Sequence, residues 1–192
     1  MKKNFTKEYL SIPNLLGYFR IILLPIYLYV YINASSERDY YLAVLIIFLS
    51  FLSDFLDGKI ARHFNMITDF GKILDPIADK ITQGALALSF TFRYPAVAVL
   101  LAVFLIKEAV MGILGLYLLK QGVRTEGAKM HGKICTAILD ATMFVLLLFH
   151  DIPVYFVYFL IIACILAIII SFILYMRQYH RQIKELANKG IH

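Results

Sequence analysis

Asp54, Asp57, Asp75 and Asp79 are the residues with which this chain could do chemistry, and they stand among Gly58, Ala61, Arg62 and Gly71. The first two acids are three residues apart and the last two four apart, so on helices each pair shares one face. If the two helices are antiparallel neighbours, all four acids converge. An ionised carboxylate at membrane depth costs about 2.5 kcal/mol or more, and four together repel one another. Such a cluster calls for cations, and oxygen ligands suit a divalent metal. Gly58, Ala61 and Gly71 leave room for a bulky headgroup to approach closely. Arg62, in the next turn after Asp57, offers a planar fork to phosphate oxygens. These are the parts of a phosphoryl-transfer site, and a lipid substrate would explain why it lies in so apolar a chain.

The surroundings must hold those acids in a membrane. Of 192 residues, 61% are hydrophobic and 17% charged, with a mean hydropathy of +0.76. A soluble domain is less apolar and more charged. The expectation is an all-α integral membrane protein with six transmembrane helices, forming a single domain over 1–192. Met1 to Pro13 reads as a short interfacial segment with lysines at headgroup level. The spans are expected at Asn14 to about Tyr31, Tyr41 to about His63, about Asp69 to Phe92, Pro95 to about Leu119, His131 to Phe149 and Ile152 to about Met176. Arg177 to His192 is then a basic amphipathic tail. Asn33 to Tyr40 reads as a polar turn and Lys120 to Lys129 as a polar loop, while Asp69 is placed as the cap of the third helix. Arg20, early in the first span, either snorkels to the interface or points at something anionic inside. Cys135 and Cys164 lie in apolar runs and read as small core residues.

Basic residues orient the chain. Lys2, Lys3 and Lys7 precede the first span, Lys59 and Arg62 lie between the second and third, and Lys120, Arg124 and Lys129 between the fourth and fifth. Arg177, Arg181, Lys184 and Lys189 follow the sixth, whereas the opposite loops hold only Arg38 and Arg93. Both termini and the carboxylate cluster are therefore expected on the cytoplasmic side of the plasma membrane. The net charge of +6 suits anionic lipid better than nucleic acid.

The spacing D-x2-D-G-x2-A-R-x8-G-x3-D-x3-D runs without a gap through Asp54, Asp57, Gly58, Ala61, Arg62, Gly71, Asp75 and Asp79. In this the chain resembles the CDP-alcohol phosphatidyltransferase family, and the expected six-span architecture agrees over nearly the whole chain. The resemblance implies a bacterial enzyme, a homodimer, that moves a phosphatidyl group from CDP-diacylglycerol to an alcohol and releases CMP. It implies that Asp54, Asp57, Asp75 and Asp79 hold two magnesium or manganese ions, with Asp79 also taking the acceptor hydroxyl's proton. Gly58, Ala61, Arg62 and Gly71 would line the CDP site.

Ile12-Pro13-Asn14-Leu15-Leu16 with Arg20, and Asp75-Pro76-Ile77-Ala78-Asp79-Lys80, resemble the branch that makes phosphatidylglycerophosphate or, in the eukaryotic type, cardiolipin. Glycerol 3-phosphate is the first choice of acceptor, with Lys133 and Arg124 among the basic residues that could receive its phosphate. Phosphatidylglycerol is the alternative, since Lys107, Gly115 and Cys135 stand where the glycerol 3-phosphate enzymes carry other basic groups. A rival of another class is a divalent-cation or lipid transporter that uses the same acids as a translocation site. It would require a polar path, yet Leu42 to Leu52 and Ile81 to Phe92 are almost wholly apolar.

Overall fold

In the computed structural model the described residues are 8–122, 130–149 and 151–188. They form six long helices: α1 (Ile12–Ile32), α2 (Glu37–His63), α3 (Gly71–Thr91), α4 (Val97–Lys120), α5 (Met130–Leu148) and α6 (Val154–Asn188). No strand occurs among the described residues. Two compact units divide the chain after Arg93.

In the first unit α1 packs against both α2 and α3. Its buried face, Pro13, Asn14, Gly17, Arg20, Leu24, Tyr27 and Tyr31, recurs every three or four residues, the period of a helix side. Pro13 opens the helix where its missing N–H costs nothing. The expected turn up to Tyr40 ends earlier, because Ser36 and Asp39 form a reciprocal capping box: the Ser36 hydroxyl accepts from the Asp39 N–H at 3.2 Å, and the Asp39 carboxylate accepts from the Ser36 N–H at 3.1 Å. Asp69 does not cap α3. The Gly71 N–H donates to Thr68 Oγ1 at 2.9 Å, and Asp69 instead pairs with Lys72 at 3.1 Å.

Apolar side chains lie both inside and outside, and several polar ones are buried. Arg20, Asn14, Ser50, Ser53, Asp57, Thr82, Gln83 and Ser89 are buried, while Ile22, Tyr29, Phe48, Phe55 and Ile73 face outward. Five helices, α1, α2, α4, α5 and α6, are long and apolar enough to cross a membrane. α3 has the length, but Asp75, Asp79 and Lys80 fall within its 21 residues. At the far end of this unit from the acids lies an aromatic cluster. Tyr31 packs on Tyr27 at 5.6 Å, Tyr40 at 6.1 Å and Phe90 at 5.8 Å between ring centroids, and Tyr27 and Ser89 share a buried hydroxyl hydrogen bond of 2.8 Å.

In the second unit α6 packs against α4 and α5. With no Gly or Pro to interrupt it, α6 runs for 35 residues, about 52 Å at 1.5 Å per residue, so the described part of the expected tail, Arg177 to Asn188, continues the last helix. Cys135 and Cys164 are buried, and the Cys164 thiol donates to Thr142 Oγ1 at 3.1 Å. Close packing of α5 on α6 depends on Gly132, where an added Cβ would overlap the Tyr175 hydroxyl and lie 3.1 Å from two of its ring carbons. Gly132→Ala is expected to destabilise the protein by about 1–3 kcal/mol. Combining it with Tyr175→Phe should recover part of the loss in thermal unfolding, because the most crowded atom is then gone. Equal stability of wild type and Gly132→Ala would refute this packing.

Candidate active site

Three of the four acids meet through a third helix. Asp54 and Asp57 project from α2, Asp75 and Asp79 from α3, and Arg20 of α1 reaches between them. Its Nη1 lies 2.6 Å from Asp54 Oδ1 and 2.6 Å from Asp79 Oδ1, and its Nη2 lies 2.9 Å from Asp57 Oδ2. Arg20 is only 2% exposed and Asp57 4%. The carboxylates of Asp54 and Asp79 remain about half open, at 47% and 53%. A guanidinium fork can serve several oxygens at once, and this one joins the two acid-bearing helices. Of the two roles foreseen for Arg20, the structure shows the inward one.

One positive charge among four carboxylates leaves these five groups with a formal excess of negative charge. The donors are all carboxylate oxygens, hard ligands of the kind that magnesium, manganese or calcium take and that zinc or copper sites supplement with nitrogen or sulfur. Chemically the set fits the divalent ions expected from the sequence. Geometrically the oxygens are gathered on Arg20, and among the described residues no three acidic, His or Cys side chains stand in a metal-holding group.

Beside the acids lies a cleft of about 220 Å³ lined by Pro13, Asn14, Asp57, Gly58, Ala61, Arg62, Met66, Ile67, Thr68, Gly71, Lys72 and Asp75. All four residues expected to line a nucleotide site, Gly58, Ala61, Arg62 and Gly71, are on its wall. Arg62 is held along α2 by its Nε, which donates to the Gly58 carbonyl at 2.9 Å.

The sequence reading missed the seam that shapes this cleft. The Asn14 amide donates to the Glu8 carbonyl at 2.8 Å and to Thr68 Oγ1 at 3.2 Å, while the Phe70 N–H donates to Glu8 Oε1 at 3.1 Å. The start of α1 is thereby bonded to the loop before α3. Gly71 completes the seam, since a Cβ there would lie 2.8 Å from Asn14 Oδ1 and 3.0 Å from Thr68 Oγ1. Asn14 beside Pro13, in the first turn of a span that should be apolar, was the available signal; its partner 54 residues away carried none.

Of the remaining candidates, Lys133 is exposed on α5 in the second unit, and Arg124 lies outside the described residues. Lys107 forms a 2.6 Å ion pair with Glu108, the structural pairing its position in mid-span favours. His131 packs edge-on against Tyr175, with 4.4 Å between ring centroids.

The profile of the CDP-alcohol phosphatidyltransferase family matches residues 10–177. An Aquifex aeolicus protein named CDP-diacylglycerol--glycerol-3-phosphate 3-phosphatidyltransferase is 34% identical over 136 residues, covering 70% of this chain and 74% of that protein. A Rickettsia typhi protein of the same name is 44% identical over 79 residues, which is 41% of this chain and 43% of the relative. A Streptomyces coelicolor protein named cardiolipin synthase (CMP-forming) is 32% identical over 134 residues, 68% of this chain and 62% of its own length.

Proposed function

The chain belongs to the CDP-alcohol phosphatidyltransferase family, and from that premise we propose that it transfers a phosphatidyl group from CDP-diacylglycerol to glycerol 3-phosphate, releasing CMP. The observation that carries this reading is the joining of the eight-residue signature into one site: Asp54, Asp57 and Asp79 around one guanidinium, beside a cleft lined by Asp75, Gly58, Ala61, Arg62 and Gly71. The names of the Aquifex and Rickettsia relatives support the acceptor.

The acceptor's hydroxyl oxygen attacks the phosphorus that carries diacylglycerol. The new P–O bond replaces the bond to CMP, which leaves as the phosphate monoester, and the hydroxyl proton goes to Asp79. A base is required because an alcohol attacks poorly until its proton has somewhere to go. Arg62 pairs with the diphosphate oxygens, and Gly58, Ala61 and Gly71 let the nucleotide lie close to α2 and α3. Asp54, Asp57, Asp75 and Asp79 would hold two magnesium or manganese ions, which supply neutralisation of the diphosphate charge. Lys133 and Arg124 remain the candidates for the acceptor's phosphate.

The protein is an integral membrane enzyme of six spans, α3 being the span that carries chemistry, with both termini and the cleft on the cytoplasmic side. That orientation rests on the distribution of lysine and arginine. One family domain spans 1–192, and two copies form a homodimer, as the family resemblance implies.

The Streptomyces relative favours a second acceptor, phosphatidylglycerol. Purified protein is to be incubated with CDP-diacylglycerol, magnesium or manganese, and either glycerol 3-phosphate or phosphatidylglycerol, with the lipid product weighed by mass spectrometry. Phosphatidylglycerophosphate is the expected product. Cardiolipin alone would transfer the assignment to the second acceptor, and no CMP with either would remove the activity itself.

A further inference from the structure

We propose that Arg20 is a resident counter-cation: it holds Asp54, Asp57 and Asp79 together in the ion-free protein and gives them up when a divalent ion binds. This rests on the reading above that these acids bind divalent ions.

Three observations lead to it. First, the oxygens that Arg20 engages, Asp54 Oδ1, Asp79 Oδ1 and Asp57 Oδ2, belong to acids assigned to the ions. A guanidinium in that position competes with an ion by charge as well as by place, because two cations within a few ångströms repel in a weakly screened interior. Second, the fork is committed to the acids and is closed to any ligand. Arg20 is 2% exposed, and its two terminal nitrogens reach three carboxylates on two helices. The remaining nitrogen, Nε, is buried without a hydrogen-bond partner, so the side chain is seated to satisfy the carboxylates ahead of its own donors. Third, Asp75 makes no ion pair with Arg20. It lines the open cleft instead and is the carboxylate an arriving ion meets without displacing anything.

The arrangement answers a problem posed by the fold. Without a cation the two helices would bring four negative charges together beside apolar surface, and the unpaired buried Asp57 would be strongly destabilising. With Arg20 in place the apo site is tolerable and its acids are already gathered. The consequence is an ion affinity lower than the carboxylates alone would give.

The test uses detergent-solubilised full-length protein, Mn²⁺ binding followed by the EPR signal of free Mn²⁺, and thermal unfolding in chelator. Arg20→Gln is expected to bind Mn²⁺ about tenfold more tightly than wild type, since a neighbouring positive charge is gone. Its ion-free melting temperature should fall by about 5 °C or more, and Mn²⁺ should restore the difference. Arg20→Lys keeps a charge but loses the fork, and should lie between the two in both measurements. This variant decides the matter if Arg20→Gln does not fold. Unchanged or weaker Mn²⁺ binding in the variant that folds, or an unchanged ion-free melting temperature, overturns the proposal. Asp75→Asn separates the two levels of inference. It should weaken Mn²⁺ binding without lowering ion-free stability. Wild-type-like binding by Asp75→Asn, or no binding by wild type, removes the ion site itself and this proposal with it. Weakened binding there without a gain in Arg20→Gln removes only the role of Arg20.

Discussion

Asp79→Asn is expected to lower CMP release from CDP-diacylglycerol by about 10²–10⁴-fold, the range a positioned base contributes, while the protein stays folded. Asparagine is nearly isosteric, and its amide oxygen can still accept from Arg20 Nη1, which lies 2.6 Å from Asp79 Oδ1. With the side chain about half open, little burial energy is at stake. What is lost is the capacity to take a proton, together with one negative charge toward the proposed ions. The control is Asp69→Asn. Asp69 forms an exposed pair with Lys72 at 3.1 Å, and losing such a surface pair costs about 1 kcal/mol at most. Its turnover should stay within a few-fold of wild type. Substantial turnover by Asp79→Asn, measured by release of radiolabelled CMP, would take the base away from Asp79.

The second large effect is a contrast between two glycines on the same cleft wall. Gly71→Ala places a methyl 2.8 Å from Asn14 Oδ1 and 3.0 Å from Thr68 Oγ1, so the seam between α1 and the loop before α3 must open. A loss of about 1–3 kcal/mol in stability follows, together with a fall in turnover because the seam also shapes the cleft. Gly58→Ala meets only Arg62 Nη2, at an ordinary 3.5 Å, and sits inside a helix where alanine is favoured over glycine by about 1 kcal/mol. It should be as stable as wild type or more so, yet lose about tenfold or more in kcat/KM for CDP-diacylglycerol, because its methyl fills space where the nucleotide lies. Thermal unfolding and initial rates on both variants check this. An active Gly58→Ala would place the nucleotide elsewhere.

How much of this was legible in the sequence varies with how local each feature is. The spacing of Asp54 with Asp57 and of Asp75 with Asp79 announced shared helix faces, because helix geometry acts over three or four residues. Arg20 showed itself as an anomaly in an apolar run, but its partners are 34 to 59 residues away, and no periodicity points across that distance. The same holds for Asn14 and Thr68. Convergence was foreseen from direct pairing of the acid-bearing helices, and the structure shows it through α1, a distinction that rests on tertiary packing. Helix ends were misjudged where a side chain supplies the stop or start. Ser36 and Asp39 begin α2 early, and Thr68 takes the capping bond expected of Asp69. The S-x-x-D pattern at Ser36 was readable in advance, whereas the choice of Thr68 over its neighbour depends on where Asn14 holds the loop.

The aromatic cluster limits what the acids can pass onward. Tyr27 is two helical turns beyond Arg20, about 10 Å along α1, and is completely enclosed, as is Phe90. The hydroxyls of Tyr27 and Ser89 are turned on each other. A cation that reached the carboxylates would find, beyond the buried side chains of Ser50, Ser53, Thr82 and Gln83, the enclosed rings of Tyr27 and Phe90. Within the first unit those rings cap the side of the acids away from the cleft, which suits turnover at a membrane surface better than conduction through it.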